Sequence, residues 1–517
     1  MHPSKPFAST FGMLAGISRL SLGVFLGLVP SCALDDGSVA GDPAVTEGST
    51  EGSDDADGDS SSIAVCTQGP IRCHAHIATV ASTQRIKAHA TAPIGFGAPD
   101  LQAAYNIDPT RLATATKPTV AIVDAYGYSK LEADLAVYRA QYALPPCSIA
   151  NGCLKIVNQQ GQTTPLPANP PANDDWTIET ALDVDMASAA CPLCNILVVQ
   201  ADSNAGNGLE LSQNIAATLG ATVISDSWGG PEQAANVVRQ LEPFFDHPNI
   251  AIFVAAGDAG YNNTVAPAGT ATGPDYPGTS SHVISVGATR LVRDTTVPRG
   301  WKESAWATTP ATGGGVDLTR GAGGSACSLS ITKPAYQTAS PCANKATTDI
   351  AAVGDPATGV AVYNTNGTNP GWIRIGGTSA SAPFVAGIFA ATGNGQQTSG
   401  AFIAGNVAKL WDVTTGSNGS CGAQTLLCNA AVGWDGPTGF GTPNAGLFMP
   451  ATTGGTGTGG GTGTGGGTGG GSGATTGSGS GSGGDDSISG GCSVGGTGGS
   501  GVLLLGLALL GLRRRRR

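Results

Sequence analysis

The sequence predicts an α/β fold in which a parallel sheet is flanked by helices, as one large domain between disordered N- and C-terminal segments. Between residues 95 and 450, short apolar stretches alternate with Ala-rich helical stretches, a pattern typical of a parallel sheet covered by helices. The apolar stretches lie at residues 120–123, 196–199, 222–225, 250–255 and 283–286. The two ends lack such stretches, so we expect neither to belong to this fold.

Three segments precede this domain. Residues 1–32 resemble an export signal, because Lys5 and Arg19 precede an apolar run over residues 20–29. Cys32 ends a loose lipobox that contains Pro30, so lipidation of Cys32 and ordinary signal cleavage nearby are both open. Residues 33–62 are an acidic Ser/Gly-rich spacer, which we expect to be disordered. Residues 63–94 are a short Cys-containing segment.

Charge and cysteine content narrow the class of protein. The formal net charge is −11, with only 25 Lys and Arg residues, which argues against nucleic acid as a partner. Twelve cysteines in a chain with an export signal indicate disulfides. If Cys32 and Cys492 are set aside, the other ten fall into close neighbours, although spacing alone does not fix their connectivity. The pairs we predict are Cys66 with Cys73, Cys147 with Cys153, Cys191 with Cys194, Cys327 with Cys342, and Cys421 with Cys428.

Residues 376–383 read Gly-Gly-Thr-Ser-Ala-Ser-Ala-Pro and lie between a predicted strand at residues 372–375 and a predicted helix. A serine at such a turn has an exposed oxygen, and its backbone N–H lies near a helix N-terminus. That position suits a nucleophile whose attack creates an oxyanion. Ser379 is therefore a candidate nucleophile.

Two acidic residues lie four apart in a second predicted helical segment, residues 174–191, which ends before Pro192. On a helix, Glu179 and Asp183 share one face, where two like carboxylates repel and raise at least one pKa. A carboxyl pair that shares a proton can serve as a general base. The same spacing also fits an acidic helix start with both carboxylates solvated.

Asp258 follows the apolar stretch at residues 250–255 and is bracketed by Gly257 and Gly260. A protonated aspartate here could donate a hydrogen bond to an oxyanion, whereas an ionised one would repel it. The alternative is an aspartate that closes a strand with an Asx-turn.

Taken together, these segments resemble the sedolisins, serine-carboxyl peptidases with a subtilisin-like fold. The resemblance covers residues 95–450 and begins with the segment at residues 95–107, which looks like the sedolisin catalytic-domain entry. Sedolisins replace the histidine of subtilisins by a Glu/Asp pair, and none of the six histidines here has the subtilisin context. His247 and His282 look like loop and strand-edge residues.

The resemblance implies a role for each matching residue. Ser379 would be the nucleophile, Glu179 the general base and Asp183 the carboxylate that orients it. Asp258 would stabilise the oxyanion. The remaining two residues, Asp124 and Trp228, would lie beside the carboxylates and support them.

A calcium loop is a further implication of the resemblance. Two Trp-Asp pairs near the domain end look like the sedolisin calcium loop, and calcium prefers oxygen ligands. One structural ion would be held by the side chains of Asp412 and Asp435 and by the carbonyls of Val413, Ala431 and Gly433. Two exposed loop aspartates without an ion are the alternative.

The C-terminal part has two segments. Residues 451–490 are a Gly/Thr/Ser-rich linker. Residues 491–517 contain Cys492, a short apolar run and five terminal arginines, and they resemble MYXO-CTERM sorting tails, which implies surface anchoring through Cys492. The apolar run is shorter than the roughly 20 residues that cross a bilayer, and an unprocessed membrane anchor is the alternative.

The sequence as a whole predicts an exported, monomeric endopeptidase at the cell surface that cleaves proteins or peptides in acid. Anchoring through Cys32 or Cys492 is open. The resemblance also leaves tripeptidyl-peptidase activity open. Sedolisins usually carry a long inhibitory prodomain, and residues 33–94 are too short for one, so the segment at 63–94 is interpreted as a remnant or a cap. Two alternatives remain open. One is a catalytically inactive protein of the same fold that acts as a surface binding module, and the other is a subtilisin-like enzyme that uses a histidine as its base.

Overall fold

The computed structural model describes residues 60–80, 85–86, 90–171, 174–264, 273–307, 310–311, 315–316, 321–366 and 370–450. The predicted export signal, most of the spacer, the linker, the sorting tail, Cys32 and Cys492 lie outside these residues. None of the helices in the described part is long and apolar enough to cross a membrane.

Strands and helices largely alternate over residues 98–255, and from there to residue 376 strands follow one another without an intervening α-helix in the described part of the chain. The strands are β1 Ser60–Ala64, β2 Arg72–Cys73, β3 His76–Val80, β4 Arg85–Ile86, β5 Thr119–Ala125, β6 Leu154–Asn158, β7 Asn195–Ala201, β8 Val223–Asp226, β9 Trp228–Pro231, β10 Ala251–Ala255, β11 Ala259–Tyr261, β12 Asp275–Tyr276, β13 Ile284–Arg293, β14 Trp301–Ala305, β15 Pro310–Ala311, β16 Gly315–Val316, β17 Ala322–Ser325, β18 Cys327–Thr332, β19 Asn344–Ala346, β20 Ile350–Val353, β21 Val360–Asn364, β22 Gly371–Gly376, β23 Leu410–Trp411 and β24 Thr442–Pro443. The helices are α1 Ala98–Ala104, α2 Leu131–Gln141, α3 Trp176–Ala190, α4 Gly208–Thr218, α5 Ala235–Leu241, α6 Thr378–Ala391, α7 Gly400–Ala404 and α8 Ala445–Phe448.

The central sheet has the strand order β14-β13-β10-β8-β5-β7-β6, with β20 also beside β13. Its pairs are parallel, except that β14 runs antiparallel to β13. Each of the five apolar stretches that the sequence predicts as strands overlaps a strand of this sheet. The predicted parallel α/β architecture is therefore confirmed.

Helices α3 and α6 form the centre of the molecule. Every residue of both helices is buried, and the two helices pack against each other. Small residues permit this close approach, because a Cβ added at Gly387 of α6 would lie 2.7 Å from the Cβ of Ala190 in α3. The predicted helix ends before Pro192, as expected, because proline cannot continue the hydrogen-bond pattern.

A second, smaller sheet joins the N-terminal segment to the domain. Its order is β1-β3-β22-β21, with β4 beside β3, and its pairs are antiparallel. The last residues of the predicted spacer, 60–62, thus lie in a strand rather than in a disordered segment. Pairing with β3 orders a stretch whose composition alone predicts disorder.

All five predicted disulfides are present and are confirmed. The bonded pairs are Cys66 with Cys73, Cys147 with Cys153, Cys191 with Cys194, Cys327 with Cys342, and Cys421 with Cys428. Each closes a short loop, so each bond stabilises local geometry rather than joining distant parts of the fold.

Candidate active site

The candidate site lies where several parallel strands end at one edge of the central sheet. Asp124 is near the end of β5, Ser227 follows β8, and Asp258 follows β10. Because the carboxyl ends of parallel strands meet at the same edge, residues far apart in sequence converge there. The helices α3 and α6 meet at the same place, because Ser227 donates its hydroxyl to Asp183 of α3 and accepts the hydroxyl of Ser379 of α6 on its carbonyl.

Ser379 lies in the first turn of α6, after Gly377, whose φ of 105° is the left-handed conformation that favours glycine. Its backbone N–H is one of those that a helix start leaves without an intrahelical acceptor, and it donates to the carbonyl of His74 at 3.0 Å. Its hydroxyl donates to the carbonyl of Ser227 at 3.2 Å. The predicted exposure of this oxygen is wrong, since Ser379 is buried. The cause is a second segment of chain that covers it.

Glu179 and Asp183 lie on one face of α3, as the sequence predicts, and both are buried rather than solvated. Burial, followed by the charge of Asp124, raises the pKa of Glu179 well above its usual range, while the nearby Ser379 hydroxyl opposes this rise. Neither oxygen of the Glu179 carboxyl has a hydrogen-bond partner among the described residues.

Asp183, unlike Glu179, has a hydrogen-bond partner, which is Ser227. The hydroxyl of Ser227 donates to Asp183 Oδ1 at 2.8 Å. Burial raises the pKa of the Asp183 carboxyl well above its usual range, and the charges of Asp124 and Glu179 add to the rise. The two α3 carboxyls therefore favour the sharing of a proton over full ionisation of both.

Asp124 and Trp228, the two predicted supporting residues, lie next to each other in the fold. Burial raises the pKa of Asp124 to about 7, and neither of its oxygens has a hydrogen-bond partner among the described residues. The Trp228 indole N–H donates at 2.8 Å to the carbonyl of Val123, the residue before Asp124. For a further acid that sequence reasoning missed, Asp226, the charge adds to the rise in the pKa of Asp183, and the charge of Asp124 adds to the rise in the pKa of Asp226 itself.

Asp258 is bonded to Thr378, the residue before Ser379. Its Oδ1 accepts hydrogen bonds from the backbone N–H of Thr378 at 2.8 Å and from the Thr378 hydroxyl at 2.7 Å. Burial raises the pKa of Asp258 to about 8. A Cβ at Gly377 would meet both Asp258 Oδ2 and the His74 carbonyl oxygen, so these two oxygens face the same small space. A protonated Oδ2 is thus placed to donate toward that carbonyl.

The segment that covers the site is a β-hairpin, which we call the cleft hairpin and define as residues 60–80. Its strands β1 and β3 pair antiparallel, and residues 65–75 form the connecting loop. Within that loop, β2 pairs antiparallel with β9, and the His74 N–H donates to the carbonyl of Ser227 at 3.0 Å. Beyond the loop, β3 pairs with β22, the strand that precedes Ser379.

Sequence reasoning did not place this hairpin in the site. Two histidines of the hairpin each lie near a carboxyl outside it. His74 Nε2 is 3.8 Å from Asp275 Oδ2, and His76 Nε2 is 3.7 Å from Asp258 Oδ2. Burial lowers the pKa of His74 to about 3 and that of His76 to about 4, so both are neutral near pH 7. The β-branched residues of the sequence His-Ile-Ala-Thr-Val are the signal that could have predicted β3.

The predicted calcium loop brings Asp412 and Asp435 together, since the charge of Asp412 adds to the rise in the pKa of Asp435, to about 7, that burial causes. The backbone N–H groups of Ala431 and Gly433 donate to Asp435 Oδ2 at 3.0 Å and to Asp412 Oδ2 at 2.9 Å. No hydrogen bond within the described residues uses the carbonyls of Val413, Ala431 or Gly433. This set of oxygens therefore fits a calcium ion.

The fold, a serine at a helix start and a cluster of buried acids define a peptidase-like site, and the comparisons with known proteins agree. The profile of the subtilase family matches residues 172–448, more than half of the chain. The chain belongs to the subtilase family, a family of serine-type peptidases.

Two relatives make the similarity more specific. Kumamolisin of Bacillus sp. (strain MN-32) is 29% identical over 304 residues, which cover 54% of this chain and 50% of the relative. Sedolisin of Pseudomonas sp. (strain 101) is 27% identical over 361 residues, which cover 65% of this chain and 58% of the relative. The chain thus spans about half the length of the curated relatives it matches.

Among solved structures, the chain is similar to Pseudomonas sedolisin, described as a serine-carboxyl proteinase complexed with two molecules of pseudo-iodotyrostatin. The TM-score is 0.56 at 23% sequence identity, and the match covers 69% of this chain and 97% of the other. This likeness shows the fold, a subtilisin-like α/β architecture.

Proposed function

We propose that the protein is a serine-carboxyl endopeptidase of the sedolisin type, which hydrolyses peptide bonds in proteins and is most active in acid. The observation that carries the proposal is the position of Ser379 beside the buried, mutually repelling carboxyls of Glu179 and Asp183. Within the described residues, no histidine is hydrogen-bonded to the Ser379 hydroxyl. The similarity to kumamolisin and sedolisin supports the same class.

The chemistry follows from the position of each group. Ser379 Oγ attacks the substrate carbonyl carbon while Glu179 accepts the hydroxyl proton, and Asp183 shares the proton load with Glu179. The Ser379 N–H and a protonated Asp258 donate to the oxyanion. Glu179 then gives its proton to the leaving amine, and a water molecule that it activates hydrolyses the acyl-enzyme.

An alkaline limit near pH 8 follows from the proton that Asp258 must keep. With its pKa raised to about 8, Asp258 is protonated below that pH and donates to the oxyanion. Above it, the ionised carboxylate repels the oxyanion, and the rate falls. The repulsion among Glu179, Asp183 and Asp124 favours a shared proton.

Endopeptidase activity is favoured over removal of tripeptides. One relative is named tripeptidyl-peptidase sed1, of Aspergillus fumigatus, at 28% identity over 262 residues. An enzyme that releases tripeptides needs a cleft that is closed three residues before the scissile bond. In this structure the chain that leads to His74 pairs with β9 through Arg72 and Cys73 and continues back beside it, since a Cβ added at Gly230 would lie 2.6 Å from the Pro70 carbonyl oxygen. Occupation of the cleft beyond three residues supports internal cleavage.

The test is cleavage of a denatured protein from about pH 3 to pH 8 by the wild type, Ser379→Ala and Glu179→Gln. We expect acid-favoured cleavage in the wild type and none above background in either variant. A His247→Ala/His282→Ala double variant should keep the wild-type profile. An optimum well above pH 8, or full activity in Glu179→Gln, would contradict the carboxylate base. If the wild type shows no cleavage that depends on Ser379, the alternative of a catalytically inactive binding module is favoured.

We also propose that one structural calcium ion is held by the side chains of Asp412 and Asp435 and by the carbonyls of Val413, Ala431 and Gly433. The free carbonyls and the repulsion between the two carboxyls support this assignment. The ion would fix the loop against the domain and take no part in catalysis.

We further propose that the protein acts as a monomer outside the cell, held at the surface through lipidated Cys32 or through processed Cys492. The export-like N-terminus, the five disulfides and the sorting-like tail support this location. Fractionation of cells that express the wild type, Cys32→Ser or Cys492→Ser tests it. Equal soluble secretion of all three would contradict surface anchoring.

A further inference from the structure

The cleft hairpin presents its backbone to the site as a bound substrate would. β2 adds a strand to β9, with Arg72 opposite Gly229 and Cys73 opposite Trp228. Strand addition to an exposed edge is a common mode of peptide recognition. The next residue, His74, donates its N–H to Ser227 and accepts the Ser379 N–H on its carbonyl, both at 3.0 Å. The bond between His74 and Ala75 is thereby presented to the Ser379 hydroxyl.

The chain is held on both sides of that bond. Before it, β1 pairs with β3 through five residue pairs, from Ser60 with Val80 to Ala64 with His76. Across the loop, the Val65 N–H donates to the carbonyl of Ala75 at 2.9 Å. Because β3 comes after the bond, this pairing would keep the two new ends close together if the bond were cut.

The disulfide of the hairpin lies on the proposed general base. The sulfur atoms of Cys66 and Cys73 and one carboxylate oxygen of Glu179 lie within 4.8 Å of one another. The two sulfurs are bonded to each other, so they are not thiolate ligands for a metal. Their position leaves Glu179 buried, with no hydrogen-bond partner in the described part of the chain. The ring thus separates Glu179 from the water that hydrolysis of an acyl-enzyme requires.

We propose that the cleft hairpin is a built-in, substrate-like inhibitor, with the bond between His74 and Ala75 as its reactive bond and the Cys66–Cys73 ring as the lock. The proposal rests on the peptidase function proposed above. It gives the short segment at residues 63–94 a definite role, because the hairpin fills the cleft and keeps substrates out.

The chemistry at this bond is reversible. Ser379 Oγ attacks the His74 carbonyl carbon, Glu179 takes the hydroxyl proton, and the C–N bond breaks as the Ala75 nitrogen receives that proton. Because the pairing of β1 with β3 holds the Ala75 amine beside the acyl-enzyme, the amine can attack and re-form the bond. Water competes only slowly and yields a His74 carboxylate and a free Ala75 amine. A cut hairpin therefore stays in the cleft until its strands separate.

The first experiment measures cleft access without relying on catalysis. In a Ser379→Ala background, we compare binding of a labelled peptide with the sequence of residues 70–78, with alanine at the position of Cys73. Three forms of the protein are compared. One has the intact ring, one carries Cys66→Ser/Cys73→Ser, and the control carries Cys147→Ser/Cys153→Ser. We expect at least about tenfold tighter binding to the ring variant, because apparent affinity scales with the fraction of open clefts. The control should match the intact ring.

A second variant tests the proposal independently, in case the ring variant fails to fold. His74→Pro keeps the disulfide but removes the N–H that His74 donates to Ser227, so it should also raise peptide affinity. Equal binding to the intact, ring-free and proline variants would overturn the proposal, whatever the activity of the wild type.

The second experiment locates the reactive bond. Wild type and Ser379→Ala are incubated at acidic pH, and their N-termini and masses are determined after native gel filtration. We expect a new N-terminus at Ala75 in the wild type only, with the piece that ends at His74 co-eluting with the domain. Processing at another bond instead would overturn the assignment of the reactive bond. If removal of the ring strengthens peptide binding but no protein is cleaved by any form, the proposed peptidase function is refuted. The conclusion that the hairpin occupies the cleft would then still stand.

Discussion

At the scale of single residues, the site depends on where protons reside. Asp258 contacts Thr378 through one oxygen only, which leaves the other oxygen facing the carbonyl of His74. Burial, rather than a charged neighbour, is the largest cause of its raised pKa. The same residue would be a poor catalyst if it were exposed, because it would be ionised at every pH where Glu179 can act as a base.

Substitution of Asp258 tests this role. Asp258→Ala should lower kcat by about 10²-fold, the effect typical of a lost oxyanion donor. Asp258→Asn keeps a donor that does not titrate, so we expect higher activity than the alanine variant and an alkaline limit that no longer lies near pH 8. The measurement is kcat against pH, with the exposed Asp108→Asn as the matched control. An alkaline limit that Asp258→Asn leaves in place would refute the assignment.

At the scale of elements, the predictable parts of the site are those with local signals. Glu179 and Asp183 follow from helical spacing on α3, and Ser379 follows from a strand-to-helix turn before α6. Their burial could not be derived in the same way, because it depends on a hairpin that is far away in sequence. That hairpin binds through backbone hydrogen bonds to Ser227 and Ser379, which need no particular side chain and leave no motif.

The same contrast explains the disulfides and the calcium loop. Close cysteine pairs were predictable because short loops favour pairing of neighbours. That one of these rings lies on Glu179 could not be predicted, since it requires the pairing of β2 with β9. The calcium loop is a prediction from a resemblance, and only the structure shows that no hydrogen bond within the described residues uses the carbonyls of Val413, Ala431 and Gly433.

The loop gives a prediction of its own. Removal of calcium with a chelator should lower the Tm of the wild type, because a ligand that binds only the folded state stabilises it. Asp412→Asn should lower the Tm in calcium and abolish most of the chelator effect, whereas Asp202→Asn, outside the loop, should leave both unchanged. Thermal unfolding in the Ser379→Ala background avoids self-digestion. A Tm that changes neither with the chelator nor with Asp412→Asn would show that the loop holds no ion.

At the scale of the whole molecule, two groups of buried residues respond to acid in opposite directions. Asp124 and Asp258 have pKa values of about 7 and about 8, raised from an ordinary 3.8. Their contribution to stability is complete below the unfolded pKa and is lost as pH rises through 7 and 8. His74 and His76 have pKa values of about 3 and about 4, lowered from 6.5. Their contribution is present above 6.5 and is lost as pH falls toward 4.

The free energy of unfolding should therefore rise as pH falls from about 8 to about 6.5, where the carboxyls gain protons and the histidines do not yet oppose them. Urea unfolding of Ser379→Ala measures this slope. Asp124→Asn should flatten it, because the amide does not titrate. A stability that fell over this interval in Ser379→Ala would show that these carboxyls are ionised in the folded state.

Both cysteines of the hairpin ring precede His74, so no covalent bond crosses the reactive bond once it is cut. Everything attached to the N-terminal piece then departs with it when β1 separates from β3. If Cys32 carries the lipid, opening the cleft also sheds the enzyme from the cell. If Cys492 carries it, the opened enzyme stays where it was made and digests only what reaches that surface. A single cut would thus produce either a diffusible digestive enzyme or a fixed one, depending on which end is tethered.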